Sequence, residues 1–150
     1  MINWITRKFD ELTLEELYSI LELRNEVFIV EQNCVYNDTD GKDQSAWHLM
    51  AIEGDKLIAY TRILPPGISY SDPAIGRVVT APSTRRSGLG KELMKRSIEA
   101  CEKLFGKTSI TLNAQVYLQS FYESLGFIVV GEEYLDDEIP HIRMSRKHSW

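Results

Sequence analysis

The sequence predicts a mixed α/β fold in which antiparallel strands come first and one parallel strand–helix–strand crossing follows. Three observations carry this. Residues 47–53 and 57–64 are β-prone runs joined by Glu53-Gly54-Asp55-Lys56, which is hairpin chemistry. Residues 88–105 segregate apolar from charged side chains at a helical period. The short runs 75–80 and 109–115 flank that helix, so they should lie parallel, joined by a right-handed crossover.

The remaining elements follow in chain order. Thr13-Leu14-Glu15-Glu16 has the spacing of a capping box, in which Thr13 and Glu16 satisfy free backbone donors, and it predicts a helix over 14–28. On that helix Leu14, Leu17, Leu21 and Phe28 share one stripe, with Arg24 in its middle. Residues 31–46 have no helical period and are rich in Asn, Asp and Gly, which predicts a long loop. Pro65-Pro66-Gly67 ends the hairpin unit. On the helix over 88–105, Leu89, Leu93, Met94, Ser97, Ile98, Ala100, Cys101, Leu104 and Phe105 take the half that packs on a sheet. A shorter helix over 117–125 aligns Tyr117, Phe121 and Leu125 and stops at Gly126, with a strand beginning at Phe127. A last strand is expected over 141–145.

The chain has 150 residues, suited to one domain over 1–150, and no repeat or linker-like tract divides it. With 43% hydrophobic and 26% charged residues, neither disorder nor a coiled-coil rod fits. The net charge is −5 and no long basic cluster occurs, so no nucleic-acid partner is expected. No apolar run reaches membrane-spanning length and residues 1–9 lack the order of a signal peptide, so a cytoplasmic location without a membrane partner is expected. Cys34 and Cys101 alone make neither a disulfide framework nor a zinc site, in keeping with a reducing compartment.

The most informative stretch runs from Val78 to Lys91: a strand, a turn with Arg85, Arg86, Ser87, Gly88, Leu89 and Gly90, then a helix. Unpaired N–H groups and the positive dipole end at such a helix start form an anion site fit for a pyrophosphate. Two other phosphate motifs fail on the letters. A Walker loop needs Gly at position 85 and Ser or Thr at 92, where Arg and Glu stand. The dinucleotide pattern needs a third Gly where Leu93 stands.

Arg85, Gly88 and Gly90 instead match an acyl-CoA loop, Gln/Arg-x-x-Gly-x-Gly/Ala, and here the chain resembles the GNAT superfamily of acetyl-CoA-dependent N-acetyltransferases. Phe121-Tyr122-Glu123-Ser124-Leu125-Gly126-Phe127 is similar to that family's second signature. Residues 27–32, 40–43, 75–78, Ala114-Gln115 and 139–142 resemble its ElaA-like branch over nearly the whole chain. There are two departures: Glu138 where that branch has Gly, and Arg86-Ser87 in place of Gly-Lys.

The resemblance implies a mainly antiparallel central sheet flanked by helices, with a splayed parallel strand pair that takes the pantetheine arm of acetyl-CoA. Backbone groups of Val78, Val79 and Thr80 would pair with that arm, and residues from Arg85 to Lys91 would surround the pyrophosphate. Asn113 and Phe121 belong to the same implied binding set. Tyr122 would protonate the departing CoA thiolate, and no metal is implied. The implied partner is a small-molecule or peptide amine acceptor, with a monomer or a homodimer as the working assembly.

Other candidates come from the residues themselves. His48 and His141 are possible general bases, since imidazole titrates near neutral pH, and Glu31 is a third, acting through water. Arg24 inside an apolar stripe must meet an anion, either a carboxylate of the chain such as Glu31 or a loop Asp, or that of a substrate. Arg62 and Arg77 lie on strands and could converge with it on an acidic substrate group. Asp38, Asp40, Gly41 and Asp43 do not form a calcium loop, because Tyr36 and Trp47 occupy positions that need oxygen ligands. An alternative from another class is a non-catalytic acyl-CoA-binding module with the same fold.

Overall fold

The computed structural model describes residues 1–148. Eight strands form one sheet among them: β1 (Ile2–Lys8), β2 (Trp47–Glu53), β3 (Lys56–Leu64), β4 (Ala74–Thr80), β5 (Ile110–Gln115), β6 (Ile128–Val129), β7 (Tyr134–Asp136) and β8 (Ile139–Arg146). Their spatial order is β1-β2-β3-β4-β5-β8-β6, with β7 paired to β8. Every pairing is antiparallel except β4 with β5. The mixed α/β class and its single parallel pair are as the sequence predicts. The sequence reading missed β1 and β7. Both are edge strands, paired only with β2 and β8, and neither fully buries a residue, so no buried apolar run marks them.

The three α-helices are α1 (Leu14–Arg24), α2 (Leu89–Phe105) and α3 (Gln119–Glu123). Thr13 and Glu16 form the expected capping box. The helix predicted over 14–28 changes character at residue 25, where a π-helical segment runs to Glu31. Gln32 N bonds Val27 O and Cys34 N bonds Ile29 O, both five residues back. The buried face of α1 is also not the predicted stripe. Leu14 is 86% exposed, whereas Ile20, Leu23, Arg24 and Val27 are buried, because the sheet takes the neighbouring stripe. Tyr117 likewise lies exposed in a 3₁₀ turn ahead of α3, so the helix predicted over 117–125 is shorter than its apolar pattern suggests.

Strand alternation sends neighbours on β3 to opposite layers. Tyr60 and Arg62 face α1, where the Tyr60 ring lies 6.0 Å from the Arg24 guanidinium. Thr61 faces α2, and its hydroxyl lies 2.7 Å from Ser97 Oγ, which also donates to Leu93 O. The predicted face of α2 buries Leu89, Leu93, Met94, Ser97, Ile98 and Cys101, whose thiol burial pushes up to about 12, while Ala100, Leu104 and Phe105 stay half-buried. Among the described residues, no helix is long and apolar enough to cross a membrane.

Two irregularities shape the centre of the sheet. Tyr60 pairs with Val79 and Arg62 with Gly76, so β4 carries one extra residue there, and Arg77 sits in the left-handed region at φ +50°. Beyond it, β4 and β5 share only the Ala74–Thr111 pair, supported by Thr111 N donating to Pro73 O. The two strands therefore part immediately, and one edge of β4 is left open along most of its length.

Candidate active site

One end of the parting lies at the start of α2. Gly88 is its N-cap in the left-handed region (φ +83°), and Arg86 precedes it at φ +68°. The N–H groups of the first turn of a helix point outward along its axis, and together with the helix dipole they make the start of α2 fit for an anion. Gly90 shows why a glycine stands there. A Cβ on it would come no closer than 4.0 Å to its nearest neighbour, Phe121 Cζ, so packing within the protein does not demand glycine. That space suits a close-lying ligand. Ser87 Oγ donates to Thr84 O, and Thr84 Oγ1 to Ala81 O, which shape the turn.

Arg85 from this loop pairs through both terminal nitrogens with Glu31, at the end of the π-helical segment. The guanidinium holds the Glu31 carboxyl below the usual range. Glu31 is thus engaged at the anion end and is absent from the lining of the central cleft, which corrects its candidacy as a base.

That cleft, of about 420 Å³, opens between β4 and β5. Gly76, Arg77 and Val78 line one side, and Leu112, Asn113 and Gln115 the other. Tyr122 enters it from α3, held edge-on between Phe121 and Phe127 at ring distances of 5.2 and 6.0 Å. Burial pushes its phenol well above the ordinary tyrosine value, so it holds its proton at neutral pH. His141 faces Gln115 across β5 and β8. Its Nδ1 donates to Ile139 O at 2.7 Å, and because a carbonyl only accepts, the neutral ring keeps its lone pair on Nε2. His141 also lines the cleft, so an oriented acceptor of protons and a buried donor share one space.

The three arginines do converge, but on the loop over 31–46. Arg24 Nε and Nη1 meet Asp38 and Asp43 at 2.7 and 2.9 Å. Arg62 binds Asp40 through both terminal nitrogens (2.7 and 2.8 Å) and Asp43 at 3.0 Å. Arg77 lies 2.8 Å from Asp38 and 3.4 Å from Asp40. Although burial by itself raises the Asp40 and Asp43 carboxyls, the arginines hold both well below the usual range. Three cations and three anions cancel, and Arg24 is 0% exposed, out of reach of any substrate. The expected substrate carboxylate is replaced by the chain's own aspartates. Arg62 and Arg77 still border the cleft, as charges already matched.

His48 is corrected as well. It is fully buried, and its Nε2 donates to Asp43 O at 2.9 Å, which leaves Nδ1 to accept from Tyr60 Oη at 2.6 Å. Burial lowers its imidazole value, and with both nitrogens used it serves as a strut under the aspartate loop.

Several cleft residues escaped the sequence reading of the site. Gln32 and Gln115 pair their side-chain amides across it at 3.3 Å. Asp136 accepts from Asn113 Nδ2 at 3.3 Å, while Asn113 Oδ1 is buried without a partner among the described residues. The only available signal was the acidic run Asp136-Asp137-Glu138 ahead of the last strand. Cys34 also borders the cleft, donating to Asp137 O, and burial with these carboxylates pushes its thiol up. Asp137 and Glu138 are the two central residues of the β7–β8 turn, both with positive φ (49° and 66°). A type I′ turn needs this, and glycine meets it without strain. Among the described residues, no cluster of His, Cys, Asp and Glu is arranged to hold a metal.

Comparison with known proteins adds four findings. The profile of the acetyltransferase (GNAT) domain matches residues 11–148. Protein ElaA of Escherichia coli K12 is 41% identical over 149 residues, covering 98% of this chain and 97% of that one. Its crystal structure superposes with a TM-score of 0.92 over 98% of this chain and 100% of that one. The structure of an acyl-CoA N-acyltransferase from Pseudomonas aeruginosa is 44% identical, with a TM-score of 0.94 over 97% of this chain and 99% of that one.

Proposed function

Because the chain belongs to the acetyltransferase (GNAT) family, we propose that it works as one acetyltransferase domain, moving an acetyl group from acetyl-CoA to a primary amine by direct attack. The observation that carries this reading is the parting of β4 from β5 after the Ala74–Thr111 pair, with an anion site at one end and Tyr122 and His141 in the cleft. Bound acetyl-CoA supplies an activated acyl carbon. The open edge of β4 at Val78, Val79 and Thr80 offers backbone groups to its pantetheine amides. The N–H groups of residues 86–91, with Arg86 and Lys91 nearby, fit its pyrophosphate. Arg85 can join them by exchanging Glu31 for phosphate. Asn113 and Phe121 flank this path, Phe121 beside Gly90 and Asn113 on the opposite strand.

The chemistry needs the acceptor nitrogen to give up two protons and the sulfur to gain one. His141 takes a proton from the incoming ammonium at Nε2, freeing the nitrogen lone pair. The new C–N bond forms as the C–S bond breaks, and the sulfur leaves as a thiolate. Tyr122 gives that thiolate its phenolic proton, which burial has kept in place, and the acylated nitrogen then loses its second proton, which restores the phenol. The acceptor amine and its exact reaction sequence rest on this proposal.

Thiol release with acetyl-CoA and an amine panel tests it, alongside calorimetric binding of CoA. Tyr122→Phe should lower kcat about 100-fold while CoA affinity changes less than about threefold. His141→Ala should also lower kcat about 100-fold with CoA affinity changed less than about threefold. CoA binding without turnover of any amine would refute the enzymatic reading and favour a non-catalytic acyl-CoA module.

A further inference from the structure

We propose that Arg77 is a positioning residue that acts through its own backbone: its guanidinium, tied to Asp38, holds the β4 bulge in the left-handed shape that lays Gly76 to Val78 along the cleft. This deepens the reading of the cleft as the acetyl-transfer site and rests on it. Residue and backbone are mismatched at this point. Between the pairs Tyr60–Val79 and Arg62–Gly76, Arg77 and Val78 together stand opposite Thr61, the two-against-one count of a bulge. Arg77 takes the left-handed conformation, at φ +50°. Glycine adopts that region freely and asparagine tolerates it, whereas other side chains set their Cβ against the following carbonyl oxygen. The glycine of this segment, Gly76, stands one residue earlier and is not left-handed.

The contacts that offset this strain come from one short stretch of the 31–46 loop. Arg77 Nη2 donates to Asp38 O at 2.9 Å and lies 3.4 Å from Asp40 Oδ2. Its Nε lies 2.8 Å from Asp38 Oδ1, an ion pair without hydrogen-bond alignment. The guanidinium carbon stands 5.8 Å from the centre of the Tyr36 ring, whose hydroxyl donates to Asp38 Oδ1 at 3.0 Å. Asp38 is anchored in turn, because the fully buried Arg24 donates to its Oδ2 at 2.7 Å and to its backbone oxygen at 3.0 Å. The tie therefore runs from the buried end of α1 through Asp38 to the bulge. Since the guanidinium is engaged with the chain's own loop, Arg77 acts on the cleft through its main chain.

The position of the bulge matters to the chemistry. Gly76, Arg77 and Val78 line the cleft, and β4 leaves β5 straight after the Ala74–Thr111 pair. A bulge that slipped along β4 would turn the residues it passed to the other face of the sheet and move the strand edge offered to acetyl-CoA. A displacement of about 1 Å can cost about 100-fold in rate, so the conformation of one residue is enough to govern turnover.

The test is the series Arg77→Ala, Arg77→Asn and Arg77→Gly in the full chain. Thiol release with acetyl-CoA and an amine panel gives kcat and KM, and calorimetry gives acetyl-CoA affinity. Each variant removes the guanidinium, and they differ in how readily the backbone turns left-handed. Arg77→Ala should lower kcat about 100-fold and weaken acetyl-CoA about tenfold, with KM for the amine changed less than about threefold. Arg77→Asn and Arg77→Gly should each recover at least about tenfold of the lost kcat and most of the affinity, an order that loss of charge or of packing does not produce. Asp38→Asn should lower kcat about tenfold in the unaltered chain and less than about twofold on top of Arg77→Gly, because glycine no longer needs the tie. If Asp38→Asn fails to fold, the Arg77 series decides by itself. Equal kcat in the three Arg77 variants, or a defect confined to KM for the amine, overturns the proposal and leaves the acetyltransferase reading intact. An unaltered chain that binds acetyl-CoA but acetylates no amine refutes that reading. The affinity order then decides the proposal, with Gly and Asn above Ala supporting it and equal affinities overturning it.

Discussion

Asp43→Asn keeps the outline of the side chain but removes one negative charge from a buried cluster. Asp43 accepts from Arg24 and Arg62 at 2.9 and 3.0 Å, and those arginine side chains are only 0% and 5% exposed. The variant leaves three arginines over Asp38 and Asp40. Removing one partner of a buried ion pair costs about 3–5 kcal/mol, and the lower end applies because the asparagine oxygen can still accept one of the two bonds. For a chain of this size, about 3 kcal/mol corresponds to a melting temperature lower by roughly 6–12 °C. Urea unfolding gives the free energy directly, with an unchanged slope as the sign that only stability moved. Arg24→Met placed in the same background restores neutrality at similar volume. The double variant should recover about 1–3 kcal/mol relative to the sum of the single effects. A loss below about 1 kcal/mol, or one abolished by about 1 M salt, would refute the buried-network argument, because screening acts on exposed charges.

Other outcomes follow from the same geometry. Gly90→Ala should leave the melting temperature unchanged or slightly raised, since its Cβ meets nothing closer than 4.0 Å and alanine favours a helix start. It should nevertheless weaken CoA binding about tenfold or more by calorimetry. Equal affinity would show that the space beside Phe121 is not the ligand's path. Glu138→Gly relieves a residue at φ +66° in the β7–β8 turn and should stabilise by about 0.5–1 kcal/mol in urea titration. Acidification acts in two stages. Burial keeps His48 neutral in the fold, so its free imidazole binds a proton first, and stability begins to fall below about pH 6.5. Asp40 and Asp43 have depressed values in the fold, so their contribution is present above about pH 4 and is lost as pH falls further. Urea unfolding across pH checks both: a flat profile from about pH 7 to pH 4 contradicts the first stage, and one flat from about pH 4 to pH 2 the second.

The elements whose signal is local were legible in the sequence. Thr13 and Glu16 cap α1 as read, because a capping box is complete within four residues. The buried face of α2 and the left-handed Gly88 are set by period and backbone chemistry. The turn before α2 and Tyr122 were read as motifs, and Phe121, the neighbour of Tyr122, lies beside Gly90 of that turn. The limits of local reading show in α1, where two apolar stripes compete and the letters cannot say which one the sheet takes.

Charge partners belong to the other class, because pairing is a property of distance and not of order. The sequence by itself determined that Arg24 needed an anion, since an unpaired buried charge is too costly. Only the tertiary structure decided that the anion is Asp38 and Asp43, which lie 14 and 19 residues along the chain. His48 and His141 are equal as letters, yet burial consumes both nitrogens of one and leaves Nε2 of the other facing the cleft. Asp136 and Asn113 meet across 23 residues because β7 and β5 both border β8. Local chemistry thus prescribed the glycine-marked turn before α2, whereas long-range packing chose which charges cancel and which face the cleft unpaired.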